Sequence, residues 1–180
     1  MKLITGFLLL TALSVSYAQT EQAEATCPAA IPTTADDAEF VLMRNGVTLH
    51  IDSNLIFMRC SIGQTWDGAS CVGEPLAHTW QQALETSLSN TFNESKNWRL
   101  PNLKELSVLT ERACVRPSIN DTIFPNTSPD DYWTSSPSML DENSAWAIAF
   151  SNGSNNTKLK TRSLFVRLVR TRLPGESLLE

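Results

Sequence analysis

The sequence is poor in the groups that carry enzyme chemistry. Histidine occurs twice, at His50 and His78. Neither belongs to an H-E-x-x-H pair, and no G-x-S-x-G nucleophile elbow is present. No C-x2-C pair occurs, and the two histidines are not spaced as joint ligands, so a zinc site has no ligand set. No catalytic residue, metal ligand or cofactor is therefore expected. Positive charge is not in excess either: 14 basic residues stand against 19 acidic ones, a formal net charge of −5. Such a balance gives no global reason for nucleic-acid binding. An apolar run of membrane-spanning length is also missing. A spanning helix needs about 20 mostly apolar residues. The stretch from Leu3 to Ala12 is interrupted at Thr5, Gly6 and Thr11 and breaks up at Ser14 and Ser16.

That stretch has another reading. Lys2 supplies a positive charge, the apolar segment follows, and Ser16-Tyr17-Ala18 places small residues three and one positions before Gln19. This is the pattern of a cleavable signal peptide over residues 1–18. Cys27 follows Glu-Ala-Thr rather than an apolar run, which argues against a lipid anchor. The expected product is an exported chain, periplasmic or secreted to the cell surface, with no membrane span after cleavage. Loss of Lys2 takes the formal charge from −5 to −6. About 160 residues then remain, enough for one domain with its own core. A content of 42% hydrophobic and 18% charged residues fits a globular chain.

Four cysteines, Cys27, Cys60, Cys71 and Cys114, lie in that exported part. An even number in an oxidising compartment implies disulfides, and four cysteines allow three connectivities. Gly63, Asp67 and Gly68 let the chain turn back between Cys60 and Cys71. This favours that pair and leaves Cys27 with Cys114.

Residues 19–38, rich in Ala, Thr, Glu and Pro, read as an extended arm. Phe40 to Met43 and Val47 to Ile51 are β-favouring runs around Arg44-Asn45-Gly46, a hairpin signal, and Leu55 to Met58 makes a third strand. Thr79 with Gln82 forms a capping box, after which Trp80, Ala83, Leu84 and Leu88 fall on one helical face. Asn102 with Glu105 opens a second helix that should end near Arg112, its buried side lined by Leu103, Leu106 and Leu109. From Ala113 to Asn143 the chain turns irregular, with Ile119, Ile123, Phe124, Tyr132 and Trp133 to pin it to a core. Trp146, Ile148 and Phe150 alternate, Asn152-Gly153 turns, and Leu164 to Arg170 alternates again. The domain should span 39–173, with a tail over 174–180.

The order of meander, two helices, long ordered loops and closing hairpin resembles the C-type-lectin-like fold. It is an α+β class with small mixed or antiparallel sheets and two short helices. Specific strings resemble the Lcl C-terminal domain family: Arg59-Cys60-Ser61-Ile62-Gly63-Gln64-Thr65-Trp66-Asp67-Gly68, Cys71-Val72-Gly73, Thr79-Trp80-Gln81-Gln82-Ala83-Leu84 and Asn97-Trp98-Arg99-Leu100-Pro101-Asn102-Leu103-Lys104-Glu105-Leu106. Ile119-Asn120, Phe124-Pro125-Asn126-Thr127, Tyr132-Trp133-Thr134-Ser135-Ser136-Pro137, Ala145-Trp146, Phe150 and Val166-Arg167-Leu168-Val169-Arg170 continue the series. The family is bacterial and largely exported. It is named after the terminal domain of a collagen-like adhesin that attaches to sulfated glycans. The resemblance implies the fold and suggests an anionic or sulfated glycan, or another surface polymer, as ligand. This chain has no Gly-X-Y repeat that would trimerise it.

Each local feature has a plainer reading beside it. Trp98-Arg99-Leu100-Pro101 also occurs in the fold of formylglycine-generating enzymes, whose reactive cysteine pair has no counterpart late in this chain. Inward packing of Trp98 and Leu100, with Asn102 as helix cap, explains the string without catalysis. Calcium-dependent sugar binding needs clustered carboxylate and amide oxygens. Glu74-Pro75-Leu76 lacks the amide and Asp130-Asp131 lacks a matched partner, so no obligatory calcium is expected. Lys158, Lys160, Arg162, Arg167, Arg170 and Arg172 fall within fifteen positions free of acids and form the candidate anion or glycan site. On an alternating strand Arg167 and Arg170 face opposite sides, and Arg167 could pair with a buried acid. Trp66 and Trp133 lie in loop context and are the candidate exposed aromatics; Trp80, Trp98 and Trp146 are assigned to the core. The rival function is a scaffolding domain for a cell-envelope protein. An enzyme comes third.

Overall fold

The computed structural model describes residues 25–92 and 95–177. The expected signal peptide over 1–18 lies outside them. The N-terminal meander forms as its turn residues dictate. β1 (Phe40–Met43) and β2 (Val47–His50) pair antiparallel with Met43 opposite Val47. Gly46 makes the turn at φ +72°, where a Cβ would lie 2.6 Å from Cγ of Trp66. Only glycine combines that dihedral with that closeness. β3 (Leu55–Met58) pairs with β2, and β9 (Val169–Thr171), from the far end of the chain, closes a four-stranded sheet in the order β1-β2-β3-β9. β2 and β3 are buried at every position, so this sheet is covered on both faces.

Its two faces organise two cores. Met43, Val47, Leu49, Ile56 and Met58 meet Trp98, Leu100, Trp133, Val166 and Leu168 on one side. Phe40, Leu55 and Phe57 meet Leu106, Leu109, Ile119, Phe124, Tyr132 and Phe150 on the other. A second sheet, β6 (Asp131–Pro137), β7 (Ser144–Ala149) and β8 (Ser154–Leu159), is antiparallel throughout. A two-residue ribbon, β4 (Thr65–Trp66) with β5 (Cys71–Val72), is stapled by Cys60–Cys71. Cys27–Cys114 ties the arm to the body, and no cysteine is free among the described residues. The whole is a mixed α+β domain consistent with the C-type-lectin-like fold.

Three expectations need correction. The second helix, α2 (Leu103–Ser107), ends well before Arg112. Past Ser107 the chain is recruited elsewhere: Thr110 bridges Ile119, and the carboxylate of Glu111 receives the amides of Thr34, Ala35 and Ala113. In the first helix, α1 (Trp80–Ser89), Leu88 is 79% exposed, because the covered face centres on Ala83 and Ser87, one position round from Leu84 and Leu88. Finally, Leu164 to Leu168 is not a regular strand. It threads between the two sheets, so both of its sides are buried apart from the half-buried Phe165.

Candidate functional site

The threading of that segment decides where the basic residues go. Arg167 is fully buried. Its Nη1 donates to the carbonyls of Met58 and Arg59, and its Nη2 donates to Thr127 Oγ1 at 2.7 Å. Its guanidinium stacks 5.0 Å from the Phe124 ring. The named partners are carbonyls, hydroxyls and rings rather than a buried acid. Burial pushes the guanidinium down to about 10, against the pull of Tyr132, so it remains charged at neutral pH. Arg170, 7% exposed, pairs with Glu176 through both terminal nitrogens. Arg167 and Arg170 therefore leave the candidate anion site: one cross-links the core and the other is buried against its own carboxylate. Lys158 is neutralised by Asp131, with Nζ 2.6 Å from Oδ2. Arg172, half-buried, donates to the Glu176 carbonyl at 2.7 Å. Of the group, Arg162 is exposed, while Lys160 is half-buried, donates to the Glu142 carbonyl and attracts the nearby Asp141 carboxylate.

The aromatics divide differently from the expectation. Trp133 is fully buried, its Nε1 donating to the His78 carbonyl at 2.8 Å, so it is not an exposed aromatic. Trp66 is half-buried between Gly46 and the guanidinium of Arg59, which lies 4.1 Å from its ring centroid. Trp80, assigned to the core from its helical spacing, is instead half-buried at the rim of a cleft.

That cleft follows from local chemistry. Thr79 and Gln82 cap α1 reciprocally, which sets Trp80 in the first turn. Trp80 Nε1 donates to the Thr134 carbonyl on β6 at 2.8 Å, anchoring the indole edge. Lys160 Nζ lies 4.5 Å from the ring centroid and donates to the Glu142 carbonyl at 2.7 Å. Such a cation–π contact at a partly exposed site is worth about 0.5–1 kcal/mol. Thr79, Gln81, Leu84 and Thr161 complete an open cleft of about 430 Å³. It offers an indole, an apolar wall, an ammonium, two hydroxyls and an amide, a set that suits the holding of a ligand with both apolar and anionic or polar parts. Sequence reasoning missed Trp80. The available signal was its place at the first helical position, directly after the Thr79 cap.

The family model for the Lcl C-terminal domain matches residues 46–170. The chain belongs to the Lcl C-terminal domain family. In this Lcl C-terminal domain the matched span holds α1, α2, β2 to β8, the Cys60–Cys71 disulfide and the cleft. β1 and the arm precede it. No curated protein matches the chain. Two disulfides suit an oxidising, extracytoplasmic compartment. Among the described residues no helix is long and apolar enough to cross a membrane, and no group of three or more His, Cys, Asp or Glu could hold a metal ion.

Proposed function

We propose that this chain is an exported recognition module of the bacterial cell envelope that binds an anionic, sulfated glycan or a similar surface polymer, without catalysing a reaction. The observation that carries this reading is the cleft, where the Trp80 indole lies beneath Lys160 with Arg162 exposed two positions further on. An aromatic face suits a sugar ring, and the two cations suit its sulfate or carboxylate. The family resemblance points to the same ligand class. Lys158, Arg167 and Arg170 have no part in it, since each is occupied within the fold.

Heparin serves as a sulfated probe. Its affinity should fall steeply with added salt. It should fall about tenfold with Lys160→Ala and again with Arg162→Ala, each a lost charge-assisted contact. Binding that ignores both salt and these substitutions would overturn the reading. Salt-insensitive capture of a single envelope protein would favour the scaffolding role instead.

A further inference from the structure

The β6–β7 hairpin ends in Ser138-Met139-Leu140-Asp141-Glu142-Asn143, and its two apolar residues are 92% and 99% exposed. Adjacent large apolar side chains held this far into water mark contact surfaces. The turn itself is hydrogen-bonded into shape. Ser138 Oγ accepts from the amides of Leu140 and Asp141, and the Asp141 carboxylate accepts from the Asn143 amide and the Ser144 hydroxyl. The apex is therefore a fixed knob.

A hole lies beside it on the same face. Lys160, which covers Trp80, donates its amide to the Asn143 carbonyl at 2.8 Å and its ammonium to the Glu142 carbonyl. The cleft lined by Trp80 and Leu84 is thus joined through Lys160 to the base of the knob. Near-complete exposure shows that Met139 and Leu140 do not fill the cleft of their own chain. Asp141 and Lys160 attract each other within the chain, which leaves exposed Glu142 beside the knob and exposed Arg162 beside the cleft as the charges that match across the pair.

We infer that this face is a self-complementary interface between two copies of this chain. Each copy places Met139 and Leu140 into the Trp80–Leu84 cleft of the other, with Glu142 set against the second copy's Arg162. Knob and hole lie side by side, so a two-fold axis between them satisfies both at once and closes the assembly at a dimer. Every contact occurs twice. The dimer covers the cleft, so self-association and polymer binding compete.

Sedimentation equilibrium of the chain from Gln19 onward, from low to high micromolar concentration, tests this. A monomer–dimer equilibrium is expected. Leu140→Asp should weaken it at least about a hundredfold, because the substitution enters the interface twice. At concentrations too low for dimerisation the thermal midpoint of that variant should not move, since Leu140 is 99% exposed in the single chain. Glu142→Lys and Arg162→Glu should each weaken the dimer, and combining them should restore it. A chain that stays monomeric throughout, or a dimer indifferent to Leu140→Asp, would overturn the inference. Heparin separates the two ideas. Heparin binding by a persistent monomer removes the interface and leaves the polymer reading standing. A dimer that heparin neither binds nor dissociates removes the polymer reading alone.

Discussion

Arg167 is a cation used as a core cross-link, joining the C-terminal end of β3 to Thr127 through one planar donor. Only arginine presents several donors in so flat a group. Arg167→Ala leaves the carbonyls of Met58 and Arg59 and the Thr127 hydroxyl short of a donor and opens a cavity. A loss of about 3–5 kcal/mol is expected, read from urea unfolding. Arg162→Ala, on the exposed surface, should change stability by less than about 0.5 kcal/mol in the same assay. Gly46 is a second point of this kind. Gly46→Ala forces a side chain into positive φ and against the Trp66 ring, and more than about 1 kcal/mol of destabilisation should follow. A lowered midpoint with an unchanged m-value would support that account. No loss would mean that the Trp66 loop yields freely.

At the level of elements, the most consequential contact is the clasp on the arm. Thr26 bridges Val115, Cys27 is bonded to Cys114, and Glu111 receives Thr34, Ala35 and Ala113. Burial would by itself raise the Glu111 carboxyl, but its several backbone and hydroxyl donors outweigh that and hold it below the usual value. The sign follows: a depressed carboxylate stabilises the fold above its unfolded pKa of about 4.3, and that contribution is lost as pH falls through the lower folded value. The protection factor of the Ala35 amide should therefore fall below about pH 4, and Glu111→Gln should lower it already at neutral pH. A protection factor unaffected by both would show that the disulfide alone retains the arm. α2 depends on its ends in the same way. It has five residues, too few to be stable by propensity, and is held by the Asn102–Glu105 box and by Arg99 on Glu105 at 2.7 Å. Asn102→Ala should cost about 1 kcal/mol.

For the molecule as a whole, the two disulfides differ in reach. Cys27–Cys114 closes 87 residues and Cys60–Cys71 closes 11. Chain-entropy reasoning assigns about 4–5 kcal/mol to the first and about 3 kcal/mol to the second. Replacing the Cys27–Cys114 pair by alanines should thus lower the unfolding midpoint more than replacing the Cys60–Cys71 pair. The reverse order would place the larger effect in the β4–β5 ribbon, beside Trp66 and Arg59.

Local chemistry in the chain determined a good deal. Turn residues set the meander and its register, capping boxes set the starts of both helices, and the glycine-bearing loop pointed to Cys60 with Cys71. These depend on neighbours a few positions apart, which a sequence displays directly. The family strings carried the fold class for the same reason, as a series of such local signals in fixed order. The fate of the basic segment was not local. Whether Arg167 and Arg170 face water depends on a path between two sheets, and that path exists only because β9 pairs with β3 from the opposite end of the chain. Trp80 and Leu88 illustrate the same limit: helical spacing names a face to within a position, but only what packs opposite decides that Ala83 and Ser87 are its covered centre. The cleft, its surviving cations Lys160 and Arg162, and the exposed knob at Met139 and Leu140 were decided by tertiary structure, because burial is a property of what packs opposite.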